Sequence, residues 1–171
     1  DLAYGMMEQD EALLPWSVNP NLAVHTPVPL TAADAEVDTT MLNLRLTSQL
    51  ARRLGLAANY HYDDRDNQTP RALYPYIGAD SQNQRPYDDG RINLPYSYTK
   101  HRADATVTYR LAGATRLKAG AEYSDFSRDY QEVSDSDEVT WLAGVSTRAW
   151  SKGSLSLDLR TADRDVDAYT G

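Results

Sequence analysis

The chain has no cysteine. That excludes a disulfide framework, a thiolate metal site and a C-x-x-C-H haem attachment on these residues. No run approaches the roughly 20 apolar residues of a membrane-spanning helix. No basic-then-apolar signal peptide is present, and a sequence that opens at Asp1 is expected to be processed or excised. Positive charge is scarce. Against 25 Asp and Glu stand 17 Lys and Arg, for a net charge of −8 and a pI near 4.8. Nucleic acid is therefore not an expected partner, because phosphate binding needs a basic face. No G-x-S-x-G, phosphate loop or paired-carboxylate motif occurs in a strand-to-helix context, so no enzyme is expected. Phenylalanine is nearly absent too, with one residue against 12 tyrosines. Tyrosine has an apolar ring and a polar tip, which suits a surface between oil and water.

What the sequence has is period-two alternation. Thr40, Leu42, Leu44, Leu46, Ser48 and Leu50 fall on one face, with Asn43, Arg45 and Thr47 opposite. After the basic turn Ala51-Arg52-Arg53, Leu54, Leu56, Ala58, Tyr60 and Tyr62 alternate with Gly55, Asn59, His61 and Asp63. Further on, Ala103, Ala105, Val107, Tyr109 and Leu111 alternate with Arg102, Asp104, Thr106, Thr108 and Arg110. Beyond a turn at Gly113, Leu117, Ala119, Ala121 and Tyr123 alternate with Lys118, Glu122 and Ser124. Val139, Trp141, Ala143 and Val145 then face away from Thr140, Gly144, Ser146 and Arg148. After a turn at Lys152-Gly153, Leu155, Leu157 and Leu159 are set against Ser156, Asp158 and Arg160. The pattern predicts strands over 40–50, 54–63, 102–111, 117–126, 139–149 and 155–162, each of about ten residues, with residues 2–8 as the end of a seventh.

Connections alternate in length. Those near 51–53, 112–116 and 151–154 are tight, whereas 9–36, 64–99 and 126–138 are long and polar. Outer-membrane barrels have short periplasmic turns and long extracellular loops. Tyr60, Tyr62, Tyr123 and Trp141 fall near the outer strand ends, and Tyr109 and Trp150 near the inner ends. Two aromatic girdles around a Leu/Ala/Val band match the needs of a bilayer. A soluble sandwich also alternates, but it has no reason to place short and long connections in turn. The expected fold is all-β: an antiparallel up-and-down transmembrane barrel of a bacterial outer membrane. Six or seven strands do not close a barrel easily, so a single segment, 1–171, of a larger barrel is expected. A mean hydropathy of −0.62 is compatible, since alternate strand residues face a wet lumen.

The expected lipid-facing residues are Leu42, Leu44, Leu46, Leu56, Tyr60, Val107, Tyr109, Tyr123, Trp141, Val145, Leu157 and Leu159. The expected lumen face holds Asn43, Arg45, Asn59, His61, Arg102, Asp104, Thr106, Arg110, Lys118, Glu122, Arg148, Asp158 and Arg160. These would touch an enclosed partner or pair with one another across strands. A hairpin about Gly113–Ala114 would set Thr106 opposite Glu122 and Arg110 opposite Lys118. Two like charges opposed in this way need an acidic group from a neighbour or a partner.

Several segments resemble the MtrB/PioB family of outer-membrane barrels: TTMLNLRLTS from Thr39, RRLGLAANYHYDDRDNQTP from Arg52, PYSYTK from Pro95, YQEVSDSDEVTW from Tyr130 and LDLRTADRD from Leu157. The stretch from Met7 to Pro20 looks like the loop preceding such a strand. The resemblance runs from about residue 3 to the end. It implies a large barrel sheathing a decahaem c-type cytochrome, so that electrons cross the outer membrane. The haem would be carried by that partner and no cofactor by this chain. Some members carry an N-terminal C-x-x-C, which is missing here.

Acidic clusters at Asp63, Asp64, Asp66; Asp135, Asp137, Glu138; and Asp163, Asp165, Asp167 fall in predicted outer loops, facing lipopolysaccharide. The Asp163-x-Asp165-x-Asp167 spacing resembles the start of a calcium loop but lacks its glycine and distal glutamate. His25, His61 and His101 are scattered over a loop, a lumen face and a strand start. They suggest neither a metal triad nor a catalytic base. Two other functions fit the pattern: a diffusion porin of the same fold class, and a soluble all-β module stacking Tyr96, Tyr98 and Trp141 on sugars.

Overall fold

The computed structural model describes residues 1–16, 28–75, 90–111, 114–150 and 153–169, with the backbone alone at 149 and 150. Nine strands follow in order: β1 (Leu2–Gln9), β2 (Ala35–Ala51), β3 (Leu54–Asn67), β4 (Leu73–Pro75), β5 (Gly90–Ile92), β6 (Tyr98–Arg110), β7 (Arg116–Arg128), β8 (Asp135–Trp150) and β9 (Gly153–Val166). Seven of them form one sheet in the order β1-β2-β3-β6-β7-β8-β9, and β4 pairs with β5. Apart from that β4–β5 insertion, neighbours in the chain are neighbours in the sheet. This is the up-and-down meander expected of a barrel wall, with β1 and β9 as its edges.

The chain forms two compact units. One comprises Asp1–Tyr4, Thr40–Arg65 and Tyr98–Gly171; the other comprises Gly5–Thr39 and Asp66–Ser97. In the second unit Asn93 ties β4 and β5 together. Its Oδ1 accepts from Ala72 N at 2.7 Å and its Nδ2 donates to Pro70 O at 2.9 Å. Here also lies Val37, 9% exposed and the one buried hydrophobic residue among those described.

In the first unit the ladder keeps like with like. Across β3, β6, β7, β8 and β9 one row reads Leu54, Tyr109, Leu117, Val145, Leu157. The next reads Leu56, Val107, Ala119, Ala143, Leu159, and the one above it Ala58, Ala105, Ala121, Trp141, Thr161. Tyr60, Ala103, Tyr123 and Val139 follow, with Asp163 at the β9 end. The face turns polar at the following row: Tyr62, His101, Asp125, Asp137 and Asp165. From Leu155 to Asp163 the strand rises about 26 Å, or about 20 Å across a bilayer at a tilt of about 40°, close to the apolar band of a barrel. Among the described residues nothing packs on this face. Leu44 is 54% exposed, Trp141 59% and Leu159 65%.

One strand lies over each of the six alternating segments, and the strands run longer than alternation alone indicates. The reason is at the long-loop ends, where polar residues continue the ladder after the apolar face stops. The connection expected over 126–138 shrinks to 129–134. It is closed by Arg128 N to Ser134 O at 2.9 Å, by Arg128 Nε to Val133 O at 2.8 Å, and by Tyr130 in the left-handed region at φ 55°. The acidic clusters are corrected accordingly. Asp63, Asp64 and Asp66 lie in β3, Asp135, Asp137 and Glu138 in β8, and Asp163 and Asp165 in β9. An extended strand cannot curl around calcium as a loop does. His101 also lies within β6 and not at its start. His25, Gly113, Lys152 and the Trp150 side chain lie outside the described residues.

Candidate partner-facing wall

The face opposite the apolar one carries the charges. Its rows, from the tight turns upward, begin with Arg110, Arg116 and Ser146. Next come Gly55, Thr108, Lys118, Gly144 and Asp158, then Ala57, Thr106, Gly120, Leu142 and Arg160. Asn59, Asp104, Glu122 and Thr140 follow, and then His61, Arg102, Ser124, Glu138 and Arg164. His61 Nδ1 lies 2.6 Å from Asn43 Oδ1, which puts Asn43, and with it Arg45, on this polar face. Leu42, Leu44 and Leu46 consequently point to the other side.

The expected β6–β7 register is corrected by two residues. Thr106 faces Gly120, not Glu122, and Arg110 faces Arg116, not Lys118. The turn closes more tightly than one about Gly113–Ala114, with Leu111 N donating to Thr115 O at 3.0 Å. A slip of two preserves both faces because side chains alternate with period two. It changes every cross-strand pair. Alternation also missed Arg116, which fell inside the segment read as a turn; continuing the even positions back from Lys118 would have found it.

The register sets like charges opposite each other in two places between β6 and β7, and one of them is relieved locally. Asp104 sits directly opposite Glu122. Asn59 Nδ2 donates to Asp104 Oδ2 at 2.9 Å, and Arg102 pairs with Glu122 at 2.8 Å. Lys118 Nζ reaches Asp158 Oδ1 at 2.8 Å. Gly144 lies between them on the same row, and a Cβ there would come within 2.6 Å of Lys118 Cε. The absence of a side chain on β8 opens the path for the ion pair. With side chains about half exposed, each pair is worth at most about 1 kcal/mol. These contacts fix side-chain positions more than they hold the fold.

Near the long-loop end Tyr98 OH donates to Asp63 Oδ2 at 3.4 Å. Phe126 meets Tyr98 edge-on at 5.9 Å, with the Arg128 guanidinium 5.0 Å from its ring. On the apolar face Tyr60 OH lies 2.8 Å from His101 Nδ1, and the Tyr62 ring is 4.9 Å from that of His101. This is an aromatic border with polar tips, at the level where the face becomes acidic. The register sets Tyr98 on the polar face and Trp141 on the apolar one, so the expected sugar-stacking platform does not form. Among the described residues no group of His, Cys, Asp or Glu is arranged to hold a metal ion.

The family described as outer-membrane β-barrel porins, MtrB/PioB, matches residues 1–171. Outer membrane protein MtrB of Shewanella baltica (strain OS185) is 30% identical over 161 residues, covering 90% of this chain and 21% of that protein. The chain thus spans about a fifth of the curated relative it matches.

Proposed function

The chain belongs to the MtrB/PioB family of bacterial outer-membrane β-barrels, and from that premise we propose that it is part of the wall of a larger barrel sheathing a multihaem c-type cytochrome. The barrel would let electrons cross the outer membrane, with all the haem on the partner. The observation that carries the membrane part is the broad apolar face, on which nothing packs among the described residues. In water such a surface would be an aggregation site, whereas in a bilayer it is the lipid contact. The matched MtrB is about five times as long as this chain, which supports a larger wall, and hydrocarbon requires that such a wall be closed.

The sheath is favoured over an empty pore by the polar face. It carries charges of both signs on ordered strands, which suits docking of a protein by complementary charge. A diffusion porin remains the second reading, supported by the family's own description. The test uses the full-length barrel purified from its native outer membrane. The sheath reading expects haem absorbance to copurify with it and planar bilayers to show no open-pore conductance. Haem-free barrels that conduct ions would replace the sheath with the porin.

A further inference from the structure

We infer that Arg110, Arg116 and Arg148 form an anion-binding station on the partner-facing wall beside the tight turns, and that its occupant is a carboxylate-bearing segment of the protein filling the barrel. The inference rests on the sheath reading. Arg110 and Arg116 are directly opposed across β6 and β7, and like charges so placed destabilise a sheet. The other like-charge opposition between β6 and β7, Asp104 against Glu122, is relieved. Asp104 and Glu122 receive Asn59 and Arg102, and Lys118 has Asp158. At Arg110 and Arg116 nothing does this among the described residues. Asp158, on the neighbouring row, is already held by Lys118.

Arg148 joins them from β8. It stands two positions beyond Ser146, the residue opposite Arg116, where the β8–β9 pairing shifts register between Thr147 and Trp150. Such irregularities re-aim side chains. All three arginines line one cavity of about 340 Å³, together with the hydroxyls of Ser146 and Ser154. Guanidinium forks bind carboxylates through paired hydrogen bonds. A carboxylate seated between Arg110 and Arg116 would turn a repulsive pair into a bridged one. Arg110 and Arg116 belong to the face away from lipid, which favours a partner inside the barrel over a lipid phosphate.

The experiment uses the full-length barrel with its copurifying haem protein. Arg110→Gln/Arg116→Gln is compared with wild type and with Arg110→Lys/Arg116→Lys, after each is shown to migrate as a heat-modifiable folded barrel. The Gln pair is expected to weaken haem retention about tenfold at fixed salt and to flatten its salt dependence. The Lys pair should keep most of the retention. A photoreactive residue at Ser146 should crosslink to an Asp/Glu-rich peptide of the haem protein. Haem retention by the Gln pair equal to wild type overturns the station and leaves the sheath standing. A crosslink to a peptide without carboxylates does the same, as does a Gln pair that loses only inorganic phosphate binding. Wild-type barrel without any haem overturns the sheath, and this inference with it.

Discussion

Lys118 and Asp158 form their ion pair across an intervening strand, not between neighbours. The 2.8 Å contact passes over Gly144, which sits between them on the same row of the sheet. Gly144→Val should therefore displace both side chains and cost about 1–3 kcal/mol through overcrowding. In a Lys118→Met background the added cost should fall, because the crowded side chain would be shorter and uncharged. Urea titrations of the refolded full-length barrel measure both. Equal costs in the two backgrounds would show that the ion pair does not run over Gly144.

The two faces should differ sharply in their tolerance of charge. Leu44→Arg is expected to cost about 2–4 kcal/mol at the bilayer midplane. Thr106→Arg, on the polar face and opposite Gly120, should cost far less, since the guanidinium stays on the side of the wall away from lipid. A barrel-refolding titration in lipid gives both numbers, and similar values would reverse the facing assignment.

Topology gives a third expectation. An epitope inserted after Gln131, in the turn between β7 and β8, should be reached by antibody on intact cells. One inserted after Arg52, between β2 and β3, should be reached only after the outer membrane is opened. The opposite result would invert the orientation and leave the strands unchanged.

Trp141 lies one row below Tyr123 on the apolar face, so its indole should report a depth between the headgroups and the midplane. With Trp16 and Trp150 of this segment, and any tryptophan elsewhere in the barrel, replaced by Phe, its emission should be blue-shifted. Lipids brominated near the headgroup end of the acyl chain should quench it more than lipids brominated near the chain end. Quenching by aqueous iodide instead would remove Trp141 from the lipid surface.

Much of this was legible in the sequence because a bilayer and a wet lumen impose period-two alternation. Arg102 to Leu111 and Leu155 to Arg160 show it without interruption. Pairing was less legible. Period two fixes which face Arg110 occupies but is silent about a slip of two, and the turn closed by Leu111 and Thr115 decides that. Strand ends were illegible for a related reason. Beyond Tyr62 both faces are polar, so Asp64, Arg65 and Asp66 continue the ladder without any hydrophobic signal. Arg116 was hidden because it adjoins the turn, and with it went the most crowded positive charge of the wall.

The meander bears on how such a wall is made in the cell. The backbone groups of β2, β3, β6, β7 and β8 are paired only when the strands on both sides are present, and an amide left unpaired within hydrocarbon would cost several kcal/mol. These strands therefore cannot enter the membrane one hairpin at a time in the order of synthesis. They have to be paired side by side before they meet the acyl chains, and a peptide that mimics an inner strand such as β7 should compete for its place and stall barrel assembly.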